Sequence, residues 1–181
     1  MQKTKLYLTI NCIFIASILT SCFGVSHQTS SGGDKYVETF YLGDGNNQYF
    51  IKPMEFESDD ESFKINFTIR NSDYHKQGGT ANFSLYSDFL VENIDSLIIK
   101  VDKELIVTKI DRMFVEKDGS DFHLRCNFTC NKDFIELFFS THLKELRLIS
   151  KGKEFVLIPT SSTRTAINKI NEDILPILNI K

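Results

Sequence analysis

Along residues 62–70 apolar and polar side chains alternate without a break. Phe63, Ile65, Phe67 and Ile69 share one parity; Lys64, Asn66, Thr68 and Arg70 share the other. Successive side chains of a strand point to opposite faces, so this pattern predicts a half-buried β-strand. The pattern recurs in Ala81, Phe83 and Leu85 against Asn82, Ser84 and Tyr86, and in Phe122, Leu124, Cys126, Phe128 and Cys130 against His123, Arg125, Asn127 and Thr129. Between the first two stretches, residues 71–80 are polar and close on Gly78-Gly79, which predicts a long loop within a hairpin. Earlier strands are expected over residues 35–42 and 48–57, joined by Gly43-Asp44-Gly45-Asn46. Pro53 has no N–H for a sheet ladder and calls for an edge or a bulge there. Residues 97–101 and 105–110 flank Asp102-Lys103-Glu104 as a tight hairpin, and 113–116 lead to a turn at Asp118-Gly119.

After Cys130 the period changes. Asn131 is placed to cap a short helix, Asp133 suits its first turn, and Phe134, Ile135 and Phe138 would share a face. A strand stays open here, because apolar residues occupy both parities. Residues 144–149 and 154–158 form a hairpin about Lys151-Gly152. Phe155, Val156, Leu157 and Ile158 are apolar on both parities, so the second strand is expected to be covered on both faces. From Ser161 or Ser162 an amphipathic helix follows. It carries Ile167, Ile170, Ile174 and Ile177 or Leu178 inward, with Pro176 kinking or ending it. The predicted fold is mainly β: an antiparallel β-sandwich or open barrel of eight or nine strands, with a short helix and a C-terminal amphipathic helix packed on the sheet.

The first 34 residues follow none of these periods. Lys3 and Lys5 precede an apolar run from Leu6 to Leu19, then Thr20, Ser21 and Cys22. A basic start, an apolar run and small residues make a secretory signal. Its 14 apolar-region residues fall short of the roughly 20 that a spanning helix needs. Leu19-Thr20-Ser21-Cys22 resembles the lipobox of bacterial lipoproteins. The resemblance implies cleavage between Ser21 and Cys22, a diacylglyceryl group on the Cys22 thiol, and usually an acyl chain such as palmitate on the freed amine. Several chains on one residue anchor stably where one holds only marginally. Residues 23–34, FGVSHQTSSGGD, are polar and Gly/Ser-rich, a flexible tether. The domain plan is therefore 1–21 signal peptide, 22–34 lipidated cysteine and tether, and 35–181 one β-rich domain. Some surface-displayed lipoproteins of the Bacteroidetes carry an acidic export signal just after this cysteine. Phe23-Gly24-Val25-Ser26 has none, so the expected location is a periplasm-facing envelope membrane. Residues 134–159, FIELFFSTHLKELRLISKGKEFVLIP, and the helix after them resemble the C-terminal half of small β-rich domains in bacterial envelope lipoproteins. That likeness implies a fold and a compartment and transfers no catalytic residue.

Charge and cysteine chemistry narrow the function. Without residues 1–21 the chain has 19 basic and 24 acidic residues, a formal charge of −5, since only Lys3 and Lys5 leave. No basic run stands out, so nucleic acid is not an expected partner. Cys12 leaves with the signal and Cys22 takes lipid, which leaves Cys126 and Cys130. In an extended strand they stand about 13 Å apart, against the ~7 Å limit for a disulfide. Either the strand turns near Thr129 and they pair, or both are free, buried thiols; the alternation favours the second.

Candidate metal and catalytic sites are sparse. Asp44, Asn46 and Glu55 stand at calcium-loop spacing, but Tyr49 occupies the glycine position, so calcium is rejected. Glu57 to Ser62 is an acid cluster read as a solvated loop. His27, His75, His123 and His142 are scattered, and no metal or catalytic motif surrounds them. No cofactor is expected beyond the lipid on Cys22. The leading expectation is a non-enzymatic binding protein, tethered to a membrane, with a protein partner in the envelope. The loops at 54–62 and 71–80 would meet that partner. An envelope hydrolase without a recognisable motif and a structural spacer are the alternatives.

Overall fold

The computed structural model describes residues 35–58, 61–101, 104–107, 109–140, 142–143 and 145–179. Residues 1–34, which hold the expected signal, Cys22 and the expected tether, lie outside the described residues. Ten strands run β1 (Val37–Gly43), β2 (Asn46–Glu57), β3 (Ser62–Arg70), β4 (Gly79–Ser87), β5 (Ser96–Lys100), β6 (Glu104–Val107), β7 (Asp111–Asp118), β8 (Asp121–Cys130), β9 (Glu145–Ser150) and β10 (Lys153–Pro159). Four helices join them: α1 (Asn71–Gln77), α2 (Lys132–Phe138), α3 (Ser161–Asp173) and α4 (Leu175–Asn179). The protein is mainly β, as the alternation predicts, with ten described strands rather than eight or nine.

The strands form one antiparallel sheet in the order β6-β5-β9-β10-β2-β3-β4-β8-β7, curled into a half-barrel, with β1 also paired to β2. β2 is long enough for two partners on one edge. β1 covers its first half, up to Val37 opposite Ile51, and β10 covers its last two residues, with Pro159 opposite Phe56 and Ile158 opposite Glu57. Between them the β2–β3 register slips across Ile51/Met54, so Pro53 sits at a bulge, one of the two settings its missing N–H allows. Alternating directions along this order make β6 and β7, at opposite ends of the sheet, run the same way. Only residues 108–110 join them, so the ends facing that link stand no more than about 14 Å apart.

The concave face is the core. Every apolar parity read from the sequence in β3, β4 and β8 points into it. The helix α2 fills it: its cap Asn131 accepts a hydrogen bond from the Phe134 N–H at 2.9 Å, and Phe134, Ile135 and Phe138 are buried. Phe67 packs against Phe138 and Phe139 at centroid distances of 4.7 and 5.1 Å. Phe128 meets Phe134 edge-on at 5.1 Å. Such offset and edge arrangements suit the ring quadrupoles and let phenylalanine do the work of a core without tryptophan. At the other end α3, capped by Thr160, buries Ala166, Ile167 and Ile170. The helix breaks ahead of Pro176, Ile174 and Leu178 stay buried, and Ile177 faces solvent.

Two expectations are corrected. Residues 71–77 are a helix, not a loop. Only Tyr74 in it is buried, so no amphipathic period announces it, and packing of that one ring holds it in place. It ends at Gly78, whose φ is 75° and where a Cβ would stand 2.1 Å from the Cys130 carbonyl oxygen, so only glycine fits. The strand β10 is covered on one face only: Phe155 and Leu157 are buried, while Val156 and Ile158 are 42% and 44% exposed. The C-terminal helix lies on the inner face, and no described element covers the outer one.

Candidate functional site

On the convex face the register lines polar residues into rows across β3, β4 and β8: Thr68–Thr80–Thr129, Asn66–Asn82–Asn127, Lys64–Ser84–Arg125 and Ser62–Tyr86–His123. Arg125 donates to the Ser84 hydroxyl at 3.0 Å, and the Asn82 amide to Asn66 at 3.4 Å. The last row borders a cleft of about 400 Å³, lined by Glu55, Glu57, Ser58, Glu61, Ser62, Tyr86, Ser87, Asp88 and Asp121. Antiparallel pairing brings these together, because the β2–β3 turn, the end of β4 and the start of β8 all fall at one end of the sheet.

Five carboxylates thus line one cleft. Glu55 pairs with Lys64 at 3.3 Å and accepts from the Ser62 hydroxyl. Glu61 accepts from the Ser58 hydroxyl, donates its N–H back to that oxygen at 3.1 Å, and meets Lys153 at 4.0 Å. Asp121 accepts from Ser120 at 2.8 Å. Glu57 and Asp88 make no ion pair among the described residues. The cleft therefore carries net negative charge in a setting only partly neutralised.

Beside it stands an aromatic stack. The His123 ring lies on Tyr86 at 4.4 Å and 9°, with Phe114 edge-on at 5.2 Å. His123 Nδ1 is 3.2 Å from Glu116 Oε1, and its Nε2 is buried without a partner. His123 is on the outward parity that the sequence gives it, but it is packed rather than solvated. His75 and His142 are exposed.

The remaining candidates disperse. Cys126 and Cys130 are free and buried on the inner face of β8, which runs straight through Cys130. Burial pushes each thiol up to about 12; for Cys126 the Arg112 guanidinium pulls weakly the other way. Neither is a nucleophile at neutral pH. Asp44 sits in the β1–β2 turn with φ 52°, at the opposite end of β2 from Glu55. Among the described residues no three His, Cys, Asp or Glu side chains come close enough to hold a metal ion. No described helix is long and apolar enough to cross a membrane. The sequence reading found Glu57 and Glu61 as an acid cluster but missed Tyr86, Asp88 and Asp121 as its neighbours. Sequence spacing carries no trace of them; only the strand register does. No family model, no curated protein and no solved structure matches this chain.

Proposed function

We propose that this chain is a lipid-anchored cell-envelope protein, periplasm-facing, whose β-rich body binds a cationic segment of another envelope protein. One observation carries the binding reading: the concave face is filled with side chains, while a cleft of about 400 Å³ lies outside and is lined by five carboxylates with Tyr86. Carboxylates that include Glu57 and Asp88, which make no ion pair among the described residues, suit an ammonium or guanidinium group, which gains charge-assisted hydrogen bonds there. The anchor rests on Leu19-Thr20-Ser21-Cys22 and the polar tether after it.

A hydrolytic reading has one observation in its favour, the Glu116–His123 pair, in which a carboxylate could orient an imidazole base. No hydroxyl or thiol is hydrogen-bonded to the free Nε2, so the described residues supply the orienting group without the nucleophile.

Photo-crosslinking in cells tests the proposal, with p-benzoylphenylalanine at Tyr86 and, as a control, at Thr129 on a distant row. The expected result is one protein captured from Tyr86 alone and lost in the Glu57→Lys, Asp88→Lys variant. Equal capture from both positions, or none, refutes the cleft as the binding site. In parallel, Cys22→Ala should leave an uncleaved or soluble species; unchanged lipid-labelled membrane partitioning of that variant refutes the anchor.

A further inference from the structure

The rim of the acidic cleft already holds one ammonium group, supplied by the chain itself. Lys153, the first residue of β10, carries its Nζ 3.4 Å from the ring centre of Phe89 and 4.8 Å from that of Phe155. The two rings are stacked at 5.8 Å and 11°, and the same Nζ stands 4.0 Å from Glu61 Oε1. Glu61 lines the cleft, and Phe89 follows the cleft residue Asp88 in the chain. An ammonium over an aromatic face with a carboxylate beside it is a seat for a cation. Three segments build it: the β2–β3 turn brings Glu61, the chain after β4 brings Phe89, and β10 brings Phe155 with Lys153.

The backbone around the seat is pinned and its occupant is not. At the β9–β10 turn the Lys151 N–H donates to Asp95 Oδ2 at 2.6 Å, and the Ser150 hydroxyl donates to the Asn93 carbonyl at 2.6 Å. The Phe89 N–H donates to the Ser87 hydroxyl at 3.3 Å. The Lys153 side chain, by contrast, is 55% exposed, against 12% for Glu61. An exposed pair at that separation holds a long side chain weakly. Phe155 is buried and backs the seat; the nearer ring, Phe89, is only partly buried. The opening that leaves Lys153 exposed is the way in for another ammonium. We infer that Phe89, Phe155 and Glu61 form the primary-ammonium subsite of the acidic cleft, taken by a lysine side chain of the cationic partner, with Lys153 as the resident group it displaces. A single amine gains only what Lys153 already has. A segment with several cations gains Glu57 and Asp88 as well, and the exchange favours it. The subsite therefore selects a lysine-rich segment over an isolated amine. This inference rests on the acidic cleft as the binding site.

¹H–¹³C NMR of the lysine ε-methylenes in the full chain reads the subsite directly, because the ring current of Phe89 sets the Lys153 signal apart from solvated lysines. Lys153→Gln assigns that signal by removing it. Tetralysine should move it saturably to the position of a solvated lysine, and n-butylamine at the same cation concentration should leave it in place. Lys153→Gln should bind tetralysine about 2- to 5-fold more tightly, because one exposed competing charge is gone. Phe89→Leu in that background should cancel the gain. Tyr41→Leu, at the opposite end of β2 from Glu57, should not. Tetralysine bound with the Lys153 signal unmoved and no gain in Lys153→Gln would overturn the subsite and leave the cleft reading standing. No binding to either protein would overturn both. Displacement by butylamine as readily as by tetralysine would overturn the selection for a lysine-rich segment.

Discussion

At the residue scale the two body cysteines are the clearest case of environment deciding chemistry. Both thiols lie on the inner face of β8, and burial pushes each up to about 12. An unfolded thiol loses its proton near pH 8.5. Below that pH both states are protonated and the thiols' contribution is constant. Above it the unfolded chain ionises while the folded one does not, so stability falls as pH rises towards 12. The slope is at most ~1.4 kcal/mol per pH unit for each thiol. Urea unfolding at pH 7.5, 9 and 10 should show this decline, and the Cys126→Ala, Cys130→Ala variant should show a shallower one. Identical slopes would mean that the thiols are not buried as described. Tyr74 follows the same sign: burial, then Glu136 and Asp133, raises its hydroxyl to about 12.

Thr163 shows what a single helix position does for an element. β2 would otherwise leave the Glu55 backbone unpaired between its two edge partners. The buried Thr163 hydroxyl takes both groups, while the Thr160 N–H donates to the Glu55 carbonyl at 3.2 Å. The helix start thus stands in for a missing strand. Thr163→Val keeps the shape but leaves the Glu55 N–H unmet, at a cost of about 1–3 kcal/mol, while the Glu55 carbonyl keeps the Thr160 N–H. Chemical denaturation should show a loss of ~1 kcal/mol or more, and the Glu55 amide should exchange faster than its neighbours in β2. A loss within ~0.5 kcal/mol would mean that water satisfies these groups equally well.

The whole molecule is held as two unequal parts of one sheet. β2, β3, β4 and β8 are joined by ladders of eight or nine pairs, whereas β10 meets β2 through only two. The shared phenylalanine core and the Thr163 bonds reinforce that seam. Native-state hydrogen exchange should therefore find the slowest amides in β3, β4 and β8, where the strands are central and their inner faces buried. The short edge strand β6 and the ends beside the seam should exchange fastest. Greater protection in β5 and β6 than in β4 would contradict this order. The curl also explains why the acidic cleft lies outside: α2, α3 and α4 occupy the concave face.

The alternation in β3, β4 and β8 was readable because a strand's side-chain period is two and one face is buried, so each residue's local choice and its burial agree. The Asn131 cap and the inward isoleucines of α3 were readable for the same reason at the helical period. Both signals act over a few residues. The sequence could not show which strands lie beside which, because pairing is decided by packing between distant segments. That is why α1 was hidden behind one buried tyrosine, and why the doubly apolar β10 has an exposed face. It is also why Tyr86, Asp88 and Asp121 joined Glu57 and Glu61 only in the folded chain. Local periodicity determined the elements and their inner faces; the register of the antiparallel sheet, set by the closing of a phenylalanine-filled half-barrel, determined the clefts.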